Sequence, residues 1–243
     1  MAKILIGILC IDRDHMNILR LCNSIKTNIM NNPDYKFEML ILTRRQDKKT
    51  IKKFHNNGFK HIIVTNNYKI QARHNLEQIS NNRNYIMKYA KDNEFDWTWF
   101  IDSDIILYPN TFHEMISIRD YDIICSLYPI KWKDNLSICL VEDRFTQTLM
   151  IDKTFNKNIM FKKFADLTDD DNILIAGMGC TLIKSNCFEI GFEVFSVYDM
   201  NHVQDQKVPM YQGEDIGFFI KAFQADKKVK VQLDHVVKHD IVD

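Results

Sequence analysis

The sequence has little surplus charge of either sign: 32 Lys and Arg residues stand against 32 Asp and Glu residues. That balance excludes the long-range attraction to nucleic acid that a strongly basic chain would have. No run of about eighteen uninterrupted apolar residues occurs, so no membrane span is expected. The apolar start, Lys3 to Leu9, is too short to span and runs into Asp12-Arg13-Asp14 without a cleavage-type ending. A buried first strand and a cytoplasmic location are therefore expected, with contact to a membrane periphery left open. The six cysteines, at positions 10, 22, 125, 139, 180 and 187, include no CxxC pair and mostly lie in apolar runs. Small buried thiols in a reducing compartment are expected, and a zinc site is not. Internal repeats are missing, and 7 glycines and 4 prolines leave no low-complexity linker.

What is present is an ordinary globular balance, 46% hydrophobic and 26% charged over 243 residues. That length suits one domain, read here as a first half, 1–130, and a second half, 131–243. Strands are expected at Lys3–Ile11, Phe37–Thr43, Lys60–Thr65, Asp96–Ile105 and Asp122–Tyr128. Between them come helices: one with Met16, Leu19, Ile25 and Ile29 on one side, then Lys48–Asn57 closed by Gly58, then 71–92 and 111–119. Strands alternating with helices imply an α/β fold with parallel pairing, and ligands in such sheets bind at the carboxyl ends of the strands. Beyond residue 129 the pattern changes. Ser137–Glu142, Phe145–Asp152 and Met160–Phe164 suggest antiparallel hairpins, and the acidic run Asp166–Asp171 a loop. A further strand, Ile173–Lys184, is followed by a helix, Glu214–Ala225, and a last strand, Lys228–Leu233. Lys48, Lys49, Lys52 and Lys53 read first as the solvated face of a helix, with an acceptor or membrane-surface contact as the alternative.

Three segments carry chemistry. Trp97-Thr98-Trp99-Phe100-Ile101-Asp102-Ser103-Asp104 is an apolar strand that delivers two carboxylates at its carboxyl end. On an extended chain residues i and i+2 project to one side, so both could reach one hard cation, Mn²⁺ or Mg²⁺. The plain alternative is a pair of turn aspartates capping the next helix. Gly213-Glu214-Asp215 opens a helix, where the dipole favours carboxylates whatever their function. His235 and His239 follow the last strand, and either could ligate a metal through a neutral nitrogen or simply face solvent.

Taken in order, these segments resemble the GT-A glycosyltransferases, in particular the family-two-like group. The pieces are the first strand, Arg73-His74-Asn75, Asp102-Ser103-Asp104, Ala176-Gly177-Met178-Gly179-Cys180, Glu214-Asp215 and His239. The resemblance implies a Rossmann-like, mostly parallel sheet with a smaller antiparallel acceptor-side sheet. It implies transfer of a sugar from a nucleoside-diphosphate sugar to a hydroxyl of a glycan, protein or lipid, with inversion. On that resemblance Asp104 binds Mn²⁺ or Mg²⁺, Asp102 holds ribose or shares the metal, and Ser103 lies between them in the nucleotide site. His239 is the third metal ligand, with His235 as the alternative. Arg73 and Asn75 lie near the nucleotide, and Asp12 and Thr43 are weaker nucleotide-site candidates. Asp215 is the general base, with Glu214 holding the acceptor or standing in for it. Tyr128, Trp132 and Tyr211 flank the expected cleft and could form a sugar platform, although packing is the commoner fate of such rings.

Two other readings are open. A sugar nucleotidyltransferase would want a glycine-rich, lysine-containing loop after the first strand, and Cys10 to His15 contains no glycine. A non-catalytic carbohydrate- or protein-binding module on the same fold would bind sugar without turnover.

Overall fold

The computed structural model describes residues 1–10, 18–59, 62–65, 75–128, 138–142, 149–151, 159–163, 173–199 and 211–239. Its first half runs β1 (Ala2–Leu9), α1 (Ile18–Met30), β2 (Tyr35–Arg44), α2 (Lys48–Asn56) and β3 (Ile62–Thr65). Next come α3 (Asn75–Asp92), β4 (Trp97–Ile101), β5 (Ile105–Ile106), α4 (Thr111–Ser117) and β6 (Ile123–Leu127). The second half contains β7 (Ile138–Glu142), β8 (Leu149–Ile151), β9 (Ile159–Lys163), β10 (Ile173–Ile175), β11 (Cys180–Lys184) and β12 (Phe195–Asp199). It ends with β13 (Tyr211–Gly213), α5 (Glu214–Gln224), β14 (Val229–Val236) and β15 (Lys238–His239).

Seven strands form the central sheet in the order β14-β6-β11-β4-β1-β2-β3. All run parallel except β11, which is antiparallel to both its neighbours. Strand β1 is buried along Ile4 to Ile8 and feeds both faces, as a central parallel strand must. Ile4, Ile6 and Ile8 pack toward α1, α2 and α4 with Phe54, Trp99 and Phe112. Leu5 packs toward α3 and α5 with Ile86, Phe100 and Phe218. Helices α1 and α2 thus share one face of the sheet and α3 takes the other, as right-handed crossovers dictate when the strand order reverses.

Smaller sheets lie apart from this one. Strands β10-β7-β9 form one, β13-β12-β8 a second, and β15 pairs with β5.

Several expectations need correction. Leu19 is 52% exposed, and α1 buries Ile18, Leu21, Cys22 and Ile25 instead. At 100° per residue Leu19 points well away from Ile25, so the two cannot share a face. The expected strand Asp96–Ile105 ends at Ile101, and Ile173–Lys184 is two strands separated at Ala176–Gly179. The strands expected at Ser137–Glu142, Phe145–Asp152 and Met160–Phe164 do pair antiparallel, but not with their nearest neighbours in sequence: β7 pairs with β9, and β8 pairs with β12. Helix α2 is followed by Gly58 at φ +84, as expected. The acidic run Asp166–Asp171 lies outside the described residues.

Candidate active site

Strand β4 ends where a turn begins. The Ile105 N–H donates to the Asp102 carbonyl at 3.0 Å, placing Ser103 and Asp104 at the turn's centre. Asp102 and Asp104 therefore do not come together by strand alternation, as the sequence suggested. A turn presents them, and neither caps α4, whose N-cap is Asn110. The turn is fixed from the side by β11, because Asp102 N–H donates to the Gly179 carbonyl at 2.8 Å. Ser103 is buried, while the Asp102 side chain is 38% exposed and Asp104 partly exposed.

Gly177 and Gly179, just before β11, are the floor on which Tyr128 lies. A Cβ on Gly179 would come within 2.7 Å of the Tyr128 ring, and one on Gly177 would run into its hydroxyl. The Gly179 N–H donates to that hydroxyl at 3.2 Å. Burial, then the nearby Asp102 charge, pushes the Tyr128 phenol well above its ordinary value, so it remains a neutral donor. Tyr128 is thus built into the site. Trp132 lies outside the described residues, as does the side chain of Tyr211.

The residue that joins the two acidic segments is Arg83 of α3, which sequence reasoning missed. Its side chain is 6% exposed. Nη2 donates to Asp102 Oδ1 at 3.2 Å, and Nη1 lies 3.0 Å from Glu214 Oε1 without hydrogen-bond alignment. Nε has no hydrogen-bond partner among the described residues. The guanidinium lies over the rings of Phe100 and Phe192, 5.9 and 5.7 Å from their centroids. Burial opposes its charge, but Glu214, Asp102 and Asp215 outweigh burial and hold Arg83 protonated above its usual range. One sequence signal could have found it. Arg83-Asn84 is an uninterrupted Arg-Asn pair ahead of Asp102, whereas Arg73 and Asn75 are split by a histidine. Asn84 does not join the acids but braces the backbone, accepting the Phe192 N–H at 2.6 Å and donating to the Phe192 carbonyl at 2.9 Å. The Phe192 ring stacks on Phe218 of α5 at 4.4 Å and 12°, which sets the start of α5 against Arg83.

Glu214 and Asp215 occupy the first turn of α5. Asp215 serves its own helix, since Oδ1 accepts the Ile216 N–H at 2.8 Å. Burial and then the adjacent Glu214 charge raise its carboxyl to about 6, against the pull of Arg83. Asp102, Glu214 and Asp215 therefore all act on a single guanidinium, and Asp104 follows Asp102 in the same turn. Such an excess of negative charge, presented as hard oxygen donors by a partly exposed turn, fits a divalent cation. Among residues whose side chains are described, no three His, Cys, Asp or Glu groups come together as a complete metal cage.

The remaining candidates are dispersed. The backbone of His239 pairs with Ile105, directly after the Asp102–Asp104 turn, whereas His235 lies in β14 beside β6. The side chains of both are outside the described set. Thr43, at the end of β2, is buried and donates its hydroxyl to Asp47 at 3.2 Å, in a cluster closed by Arg44. Asp12 and Arg73 fall outside the described residues, as does the side chain of Asn75, the first residue of α3.

No protein-family model and no curated protein sequence matches the chain. Solved structures do. S. aureus TarS (residues 1–349) in complex with UDP-GlcNAc matches at a TM-score of 0.57 with 14% identity, over 99% of this chain and 59% of that one. The same protein in complex with UDP matches at 0.52 with 15% identity, over 97% and 60%. The chain thus spans about three-fifths of those TarS chains. An inositol-1-phosphate CTP transferase from T. maritima, at 0.49, 10% identity and coverage of 100% and 92%, is too remote to weigh. At these identities the likeness is one of fold. The chain has the GT-A-like α/β fold: a central, mostly parallel sheet flanked by helices, with smaller antiparallel sheets beside it.

Proposed function

We propose that this protein transfers a sugar from a nucleoside-diphosphate sugar to an acceptor hydroxyl, assisted by Mn²⁺ or Mg²⁺. The observation that carries the reading is the cluster in which Arg83 ties Asp102, at the end of β4, to Glu214, at the start of α5. Two acidic pairs more than a hundred residues apart in sequence meet at one place, which charge stabilisation of a helix end does not require. A fold shared with a protein solved with UDP-GlcNAc and with UDP supports the choice of donor.

In this reading Asp102 and Asp104 hold the cation, with His239 as the third ligand because its strand pairs directly after their turn. When bound, the cation supplies positive charge opposite the diphosphate leaving group. The chain's own residues do the rest. Asp215, raised to about 6, is ionised at neutral pH yet basic enough to take the acceptor hydroxyl's proton. Arg83 neutralises Glu214 and fixes the Asp102 carboxylate, so the two halves of the site keep their spacing. Tyr128, whose hydroxyl accepts the Gly179 N–H, lies close enough to feel the charges of Asp102, Asp215 and Arg83. Attack on the face opposite the leaving group inverts the anomeric carbon.

Incubation with a panel of nucleotide sugars, with and without Mn²⁺, tests this by release of nucleoside diphosphate. One donor should be hydrolysed slowly, only with metal, and not by Asp104→Ala. Asp215→Asn should keep donor binding and lose transfer once an acceptor is supplied. Pyrophosphate release from a nucleoside triphosphate and a sugar phosphate would make it a nucleotidyltransferase instead. Sugar binding with no turnover of any kind would make it a binding module.

A further inference from the structure

Helices α1 and α2 lie side by side on one face of the sheet, and neither contains an acid. Arg20 and Lys26 belong to α1, and Lys48, Lys49, Lys52 and Lys53 to α2, a local basic excess in a chain whose net charge is zero. Arg20, Lys26, Lys48, Lys49 and Lys52 are exposed, and Lys53 partly so. Asp47, the acid just before α2, is buried and taken up by Arg44, which leaves Arg45 exposed beside it. The two helices are joined at this surface, because Lys26 Nζ lies over the Phe59 ring at 5.5 Å.

The same face carries apolar groups that solvation does not explain. Leu19 is 52% exposed and Met30 is 78% exposed. With Asn23 and Lys26, also exposed, they form one outward stripe of α1. At 100° per residue the four lie within an arc of about 60°, with Leu19 and Met30 about 16 Å apart along the axis. A soluble polyanion would use the cations and have no use for the two apolar side chains. A bilayer with anionic headgroups uses both, drawing the lysines to its surface while short apolar groups enter the interface.

We infer that the α1–α2 face docks this protein onto an anionic lipid bilayer, through Lys48, Lys49, Lys52, Lys53 and Lys26 with Leu19 and Met30 as shallow anchors. Both helices begin at the carboxyl edge of the parallel strands, the edge at which β4 delivers Asp102. A docked molecule would thus hold its candidate site close to the lipid surface.

The test is co-sedimentation of the full chain with vesicles of phosphatidylcholine alone and with about a third phosphatidylglycerol, at low and at physiological salt. Binding to the anionic vesicles should exceed neutral binding at least about tenfold and weaken with salt. Lys49→Gln/Lys52→Gln/Lys53→Gln should lower it about a hundredfold. Leu19→Ser/Met30→Ser should lower vesicle binding several-fold while leaving retention on a heparin resin unchanged. Melting curves confirm folding, and the single variant Lys52→Glu replaces any that fails to fold. Equal binding to both vesicle types would overturn the proposal. So would a serine variant that binds vesicles as wild type does, since the face would then be a site for soluble polyanions. Neither readout uses donor turnover, so failure here is distinct from failure of the transferase reading.

Discussion

Arg83 has three carboxylates around it and almost no solvent, so its removal strands charge inside the protein. Losing one partner of a buried ion pair costs about 3–5 kcal/mol, because the other charge stays buried without compensation. Arg83→Met should therefore lower stability by about that amount. Arg83→Lys should recover only part of it, since one ammonium cannot reach two carboxylates as a guanidinium fork does. Urea denaturation measures both, and an unchanged midpoint for Arg83→Met would show that Glu214 does not depend on it. Asp215 makes a prediction in pH. It must be ionised to act as a base, so kcat/KM should rise with pH through about 6 and level off above. Glu214→Gln removes the neighbouring charge that helps raise Asp215, so the rise should move to lower pH. The stability sign is opposite to that of an ordinary salt-bridged acid. Asp215 keeps its proton to about 6 when folded, while an unfolded aspartate loses it near about 3.9. The folded state thus binds the extra proton between those values, and stability from this group falls as pH rises from about 4 to 6. Asp215→Asn should abolish that fall.

At the scale of elements, the first half was readable because each apolar run is a complete strand with a helix after it. Residues 97–101 are buried throughout, so their place in the sheet could be read before any partner was known. Limits appeared where tertiary contacts end an element. Asp102-Ser103-Asp104 is turn-prone, but where β4 stops is settled from outside it, by the Gly179 carbonyl, just before β11 and almost eighty residues on, which accepts the Asp102 N–H. Strands β12, β13 and β15 have between two and five residues each, too few for a period to show. Arg83 was hidden because α3 is polar on most sides, and an arginine among asparagines looks like surface until Phe100 and Phe192 are seen around it. Helix α5 offers a test of how tightly these pieces fit. A Cβ at Gly217 would enter the Glu193 backbone and the Phe195 ring. Helix propensity alone favours alanine by about 1 kcal/mol, but overpacking against a backbone that cannot move costs about 1–3 kcal/mol. Gly217→Ala should therefore be net destabilising in chemical denaturation. A stabilised variant would mean that the segment before β12 yields easily.

Across the whole molecule, the candidate site is assembled from segments far apart in the chain, from α3 and the end of β4 to the start of α5. Strand β5 follows the Asp102–Asp104 turn, and its partner is β15, which carries His239. Two residues on each strand make a pair too short to hold on its own account. A cation shared by Asp104 and His239 would add a second tie across it, so metal binding and the docking of β15 should be linked. A ligand that binds only the folded state at about a hundred times its Kd adds about 2.7 kcal/mol, enough to read as a shift in Tm. Mn²⁺ should therefore raise Tm, and hydrogen exchange should show the Ile105 and Ile106 amides slowing when it is added. Asp104→Ala should lose both effects. His239→Ala should lose the slowed exchange and most of the Tm shift, while His235→Ala, altered in a strand that pairs with β6, should keep both. A full Mn²⁺ response in His239→Ala would separate β15 from the metal and leave Asp102 and Asp104 to hold it with groups from elsewhere.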